Sequence, residues 1–287
     1  MARELRRVGV VGLGTMGSGI AQVCVEAGFE TVGREVEAGL GERARERIGH
    51  FIGRKVEKGQ LEADARDAAL ARLSLTTDLA DLGDCDLVIE AAFEELSVKH
   101  ELFRELERIL AADTIFATNT SALSVTQIAS VLERPERALG MHFFNPAPLM
   151  KLVEIVRAER TAPDVFEAAF DFAARLGKEP IRCNDTPGFV VNRILIPLLN
   201  DCVRVLDEAG VSPEDLDKAM RFGAGWPMGP ATLVDLVGID IHVHASEALY
   251  EKLREPRMAP PPRLVRMAQA GKLGQKSGEG FYTYNRD

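Results

Sequence analysis

Apolar and polar positions along the chain change rhythm once, close to residue 187. Before that point, short β-branched runs alternate with longer stretches of helical spacing. Residues 7–11, 29–32, 86–91, 114–118, 138–141, 151–156 and 180–182 read as strands. Residues 16–27, 98–110 and 163–176 read as helices between them. Strand–helix alternation of this kind predicts a parallel sheet with helices on both faces, a doubly wound α/β fold. Residues 39–59 and 62–72 carry helical spacing with many charges and read as a solvated helical excursion from the sheet. Beyond residue 187 the strand signal fades. Residues 189–209 form a long apolar helix with Pro197 as a kink. Ser212-Pro213-Glu214-Asp215 is a helix start, with a hydroxyl at the cap and acids at the positive end of the dipole. Residues 233–253 and 262–270 are further helices, and the prolines between 255 and 262 mark a loop. The expected division is an α/β domain over 1–186 and an all-helical domain over 187–287.

Composition narrows the function classes. A formal net charge of -9 over 287 residues disfavours a nucleic-acid binder, which would cluster Lys and Arg. No apolar run reaches the roughly 20 residues that span a bilayer, and no secretory h-region follows the charged start, so no membrane partner is expected. Cys24, Cys85, Cys183 and Cys202 are scattered and form no CxxC, which fits reduced, buried thiols and a cytoplasmic location. His242 and His244 form an HxH without a third ligand in view, so no metal site is expected.

The candidate chemistry starts at Gly12-Leu13-Gly14-Thr15-Met16-Gly17. A strand leads in, a helix follows, and Glu35 comes just after a second strand. In this context the first glycine makes the tight turn, the second lets backbone approach a pyrophosphate, and the third lets helix and strand pack closely. Glu35, about 18 residues after Gly17, can accept hydrogen bonds from ribose hydroxyls and favours NAD over NADP. Arg34 beside it is the residue type that would meet a 2′-phosphate, which keeps NADP in play.

Two polar clusters follow strands, where open α/β sheets bind their ligands. One is Thr118-Asn119-Thr120-Ser121; the other is His142-Phe143-Phe144-Asn145-Pro146. A carbinol-to-carbonyl hydride transfer needs a base for the hydroxyl proton, for which His142 is suited, and donors to the oxygen, for which Ser or Asn is suited. Glu154 is an acid within the apolar run Leu152-Val153-Glu154-Ile155-Val156. Burying it is costly without a partner, and His142 is the candidate partner; a wet strand face is the alternative. Arg54 and Lys58 share a helix face at i and i+4, either as a phosphate contact or as a solvated surface.

Taken together, residues 12–21, Asp-Leu-Val-Ile-Glu-Ala (86–91), Asn-Thr-Ser (119–121), His-Phe-Phe-Asn-Pro-Ala-Pro (142–148), Lys-Leu-Val-Glu (151–154), Pro-Gly-Phe-Val-Val-Asn-Arg (187–193) and Pro-Met-Gly-Pro (227–230) resemble the 3-hydroxyacyl-CoA dehydrogenase family over essentially the whole chain. The short bacterial 3-hydroxybutyryl-CoA dehydrogenases are the nearest subgroup. The resemblance implies a Rossmann-type NAD domain, a helical C-terminal domain serving substrate and a homodimer, and an acyl-CoA thioester substrate. It implies His142 as catalytic base, Glu154 as its paired acid, and Ser121 and Asn192 as substrate contacts near the reacting oxygen. Glu94, Lys99, Asn119, Asn145 and Lys276 match positions that hold the nicotinamide nucleotide, and the family's CoA contacts fall near Arg54 and Lys58. Departures are Glu35 where Asp is usual, Gly33 where a larger apolar residue is expected, Ala122 in place of a second Ser, and Trp226 in place of His. An acyl-carrier-protein thioester as substrate and a catalytically silent dinucleotide binder are the competing readings.

Overall fold

The computed structural model describes residues 5–284. It divides into two compact units that meet in sequence at Thr186 and Pro187.

The first unit is an eight-stranded sheet. Its strands are β1 (Arg7–Val11), β2 (Glu30–Arg34), β3 (Leu73–Thr76), β4 (Leu87–Glu90), β5 (Ile115–Thr118), β6 (Ala138–Phe143), β7 (Leu152–Arg157) and β8 (Glu179–Asn184), in spatial order 3-2-1-4-5-6-7-8. Helices α1 (Thr15–Glu26), α2 (Ala38–Glu57), α3 (Ala63–Ala71) and α6 (Pro163–Arg175) pack on one face with Val8, Val10, Leu87, Ile89, Ile115 and Ile155. Helices α4 (Leu96–Ile109) and α5 (Val125–Ala129) cover the other face over Val11, Val88 and Phe116. The central strands are mostly apolar because both faces are covered, with polar residues at only a few positions such as Glu90, Thr118, His142 and Glu154.

Three details differ from the sequence expectation. The first is β3, which follows directly on the helical stretch 62–72, where no strand was expected. It is four residues long and only Leu73 in it is buried, so its period-2 signal is short. The second is α2, which is not a solvated excursion. Gly41, Ala44, Ile48 and Ile52 recur at helical spacing and are buried in the main core, while the charges take the remaining surface. The third is direction. Every neighbouring pair is parallel except β6 and β7, which are antiparallel, with His142 directly opposite Glu154. A turn joins these two strands where parallel neighbours would need a crossover.

The second unit is helical: α7 (Val191–Ala209), α8 (Pro213–Lys218), a π-helical stretch Ala219–Gly223, α9 (Pro230–Val237), α10 (Ile239–Leu253) and α11 (Pro262–Gln269). Pro197 lies inside α7. Ser212 Oγ caps α8 by accepting from the Asp215 N–H at 3.1 Å. The single helix expected over 233–253 is two, broken at Gly238, whose φ of +102° no helix can continue. The loop over 255–262 contains a 3₁₀ turn, Pro256–Met258.

Candidate active site

The nucleotide turn is built from backbone. Gly12 leaves β1 with φ +85°, and a Cβ there would come within 2.8 Å of the Ala91 carbonyl oxygen. A Cβ on Gly17 would overlap the Gly12 carbonyl oxygen, so α1 can begin this close to the turn only at glycine. A Cβ on Gly14 would meet nothing within 4 Å, which leaves open space over the start of α1. No acidic side chain occupies the first turn of that helix. The N–H groups of Thr15, Met16 and Gly17 and the helix dipole there fit a pyrophosphate, so these residues suit a dinucleotide.

Beside the turn, Glu35 Oε1 accepts from the Leu13 N–H at 2.5 Å and Oε2 from the Val36 N–H at 3.1 Å. A carboxylate has about four lone-pair sites, so acceptor capacity is left for ribose hydroxyls. Arg34 Nε donates to the Thr77 carbonyl at 3.3 Å. Gly33 also finds its reason: a Cβ there would approach Leu13 Cδ1 to 2.8 Å, so its absence makes room for the Leu13 side chain.

A buried charge cluster links β4 to β5. Lys99 is 1% exposed, and its Nζ meets Glu90 Oε1 at 2.6 Å and Glu94 Oε2 at 3.2 Å. Thr118 Oγ1 donates to Glu90 Oε2 at 2.7 Å. Glu94 Oε1 accepts from Thr120 Oγ1 at 2.6 Å and from the backbone N–H groups of Ser121 and Ala122 at 2.9 and 3.1 Å. Desolvation pushes the Glu94 pKa up, but Lys99 and these hydrogen bonds outweigh it and hold the carboxyl below its ordinary value. Lys99 thus fixes Glu94, and Glu94 fixes the loop that presents the exposed Ser121. Asn119 Oδ1 accepts from the Phe143 N–H at 2.9 Å, tying the end of β5 to the end of β6.

His142 lies one residue before the end of β6, 6% exposed, and its Nδ1 is 2.7 Å from Glu154 Oε2. Glu154 is fully buried, so it is not on a wet strand face. The Phe144 ring lies against the imidazole, with centroids 4.6 Å apart. The carboxylate accepts the Nδ1 proton, which leaves Nε2 as the basic nitrogen.

Thr15 and Asn145 share a groove of about 530 Å³ with Arg54 and Lys58. Its walls are α1 (Ser18, Gly19, Gln22), α2 (Ile48, Phe51) and the turn after β6 (Pro146, Pro148). Lys178 Nζ donates to the carbonyls of Ala147 and Met150 at 2.6 and 2.9 Å and so holds that turn in place.

Within the second unit, Asn192 is the second residue of α7, half-buried. Lys276 pairs with Asp240 at 2.6 Å. Trp226 packs against the core of Leu199, Val203, Val234 and Ile239. His242 Nε2 is 2.8 Å from Asn200 Oδ1. Among the described residues no group of three or more His, Cys, Asp or Glu is placed to hold a metal ion. Cys24, Cys85, Cys183 and Cys202 are free thiols, and burial pushes Cys24 up to about 12. No helix among the described residues is long and apolar enough to cross a membrane.

The family model for the 3-hydroxyacyl-CoA dehydrogenase NAD binding domain matches residues 7–186, and that for the C-terminal domain of the same enzymes matches residues 188–284. The chain belongs to the 3-hydroxyacyl-CoA dehydrogenase family. It is 44% identical to the 3-hydroxybutyryl-CoA dehydrogenase of Mycobacterium tuberculosis, over 99% of this chain and 100% of that one. It is 43% identical to the probable 3-hydroxybutyryl-CoA dehydrogenase of Deinococcus radiodurans, over 97% of this chain and 100% of the relative. The crystal structure of (S)-3-hydroxybutyryl-CoA dehydrogenase PaaH1 from Ralstonia eutropha superposes with a TM-score of 0.95 at 38% identity, covering 99% of this chain and 100% of that one.

In this 3-hydroxyacyl-CoA dehydrogenase, sequence reasoning passed over Glu90, Gln22 and Lys178 as parts of the site, and gave Thr118 and Thr120 no role beyond membership of the polar cluster 118–121. Glu90 carried the same signal as Glu154, an acid ending the apolar strand Leu87-Val88-Ile89-Glu90. Gln22 and Lys178 gave no comparable signal, since a polar residue in a helix or loop ordinarily faces water.

Proposed function

We propose that this dehydrogenase interconverts 3-hydroxyacyl-CoA and 3-oxoacyl-CoA thioesters, with 3-hydroxybutyryl-CoA and acetoacetyl-CoA as its pair. The observation that carries the reading is the buried His142–Glu154 pair at the carboxyl end of β6. NAD, held at Gly12–Gly17 and Glu35, supplies the hydride acceptor for oxidation and, reduced, the donor for reduction. His142 Nε2 takes the C3 hydroxyl proton during oxidation and returns one during reduction. Glu154 keeps the imidazole in the Nδ1–H tautomer and stabilises the imidazolium that forms. Ser121, on the loop fixed by Glu94, donates to the substrate oxygen, and Lys99 acts through Glu94. Asn119 and Asn145 serve the nicotinamide side. Arg54 and Lys58 meet CoA phosphates. For Asn192 as a substrate contact, for Lys276 as a cofactor contact and for the homodimer, the family resemblance is the support.

Mixing the protein with NADH and acetoacetyl-CoA tests the reading through loss of nicotinamide absorbance. Turnover on acetoacetyl-CoA at a rate equal to or above that on an acetoacetyl carrier protein is expected. No turnover with NADH or NADPH, or turnover confined to the carrier protein, overturns it.

A further inference from the structure

Gln22 sits in the middle of α1 and lines the groove, yet its side chain is unaccounted for. It is only 2% exposed, and its Nε2 is a buried nitrogen without a hydrogen-bond partner. A buried polar group left unpaired is costly, so the few that persist call for a physical reason.

The surroundings say what the reason is. The groove walls near Gln22 are apolar or small: Gly19, Ile48, Phe51, Pro146 and Pro148. Cations line it too, at Arg47, Arg54, Lys55 and Lys58, and Lys55 is already neutralised by Glu26 at 2.7 Å. Thr15, at the nucleotide turn, also lines the groove. Gln22 is seven residues further along α1, roughly 10 Å at 1.5 Å per residue. A ligand matching this lining is long, mostly apolar, carries an amide part-way along, and ends in phosphate. Amide carbonyls accept from a carboxamide N–H, and a half-turn about the terminal torsion exchanges the covered Nε2 with Oε1 at little steric cost.

We propose that the Gln22 carboxamide is a hydrogen-bond partner for an amide of the pantetheine arm of the substrate. This rests on the thioester reading above and adds a positioning residue to it. The arm is common to CoA and to carrier-protein thioesters. Gln22 therefore holds the arm and not the nucleotide.

The test is Gln22→Met, which keeps length and removes both polar atoms, assayed with NADH against acetoacetyl thioesters of graded length. With acetoacetyl-CoA the KM should rise about tenfold with kcat unchanged, the size of one lost hydrogen bond to a group then left unpaired. The S-ethyl thioester, which has no amide, should be reduced equally by both proteins. A loss shared by the N-acetylcysteamine thioester assigns the contact to the amide nearest sulfur; a loss absent there assigns it to the farther one. A matching loss on an acetoacetyl carrier protein places the contact on the shared arm. An equal loss on every thioester, the S-ethyl one included, overturns the proposal, as does a loss on acetoacetyl-CoA alone. Failure of the wild type to turn over any acetoacetyl thioester would instead overturn the function.

Discussion

At the scale of single residues the proposed reaction rests on the His142–Glu154 pair, whose Nδ1 and Oε2 atoms are 2.7 Å apart. His142→Gln keeps a polar side chain of similar size but no basic nitrogen. Its kcat should fall about 10²–10⁴-fold while NAD affinity, read by fluorescence titration, stays at the wild-type value. A loss of NAD binding in step with kcat would place His142 in the cofactor site. Both dyad residues were legible in the sequence, because a histidine ending a strand and an acid within an apolar run each break the local pattern. Gly33 was legible only as an oddity. Its reason is the side chain of Leu13, a neighbour 20 positions away in sequence that only the fold brings near.

Elements show where periodicity ran out. The long α2 was found with nearly the right ends, but its charges hid the buried stripe of Ala44, Ile48 and Ile52. The break at Gly238 was missed because the apolar spacing continues through it. On α2, replacing Arg54 and Lys58 with Glu should raise the KM for acetoacetyl-CoA at least tenfold and leave the S-ethyl thioester unaffected. Equal effects on both would mean the helix supports the fold and not the phosphates. On α10, burial lowers the His242 pKa from 6.5 to about 4. The unfolded chain protonates this residue near pH 6.5 and the folded one does so only near pH 4. Stability is therefore full above about pH 6.5, falls as pH drops through that window, and levels below it. The linkage amounts to about 3 kcal/mol. Trp226 is the single tryptophan and packs in the same helical unit, so its fluorescence reports the denaturant midpoint there. His242→Gln should flatten the part of the pH slope that lies between these two values.

For the whole molecule, the sequence conveyed the two-part organisation because strand rhythm stops where helical rhythm continues. It did not convey the reversal between β6 and β7, since a buried strand carries no mark of its direction. The second unit exposes Ile194, Phe222, Leu236 and Ile241, the last three at 78%, 50% and 52%. Apolar side chains exposed to this degree suit contact with a second copy. Sedimentation should give twice the 31.4 kDa chain mass, and a single-chain value at micromolar concentration would exclude the dimer.

The reversal has one more consequence. Because His142 and Glu154 are register partners across β6 and β7, the ladder itself sets their spacing. A slip of one residue would turn one of them to the opposite face. The turn that closes this hairpin supplies Asn145, Pro146, Ala147, Pro148 and Leu149 to the groove. The buried pair and one wall of the groove thus occupy the legs and the tip of one hairpin. Substitutions at the tip should therefore reshape the groove while the ladder keeps the spacing of the pair.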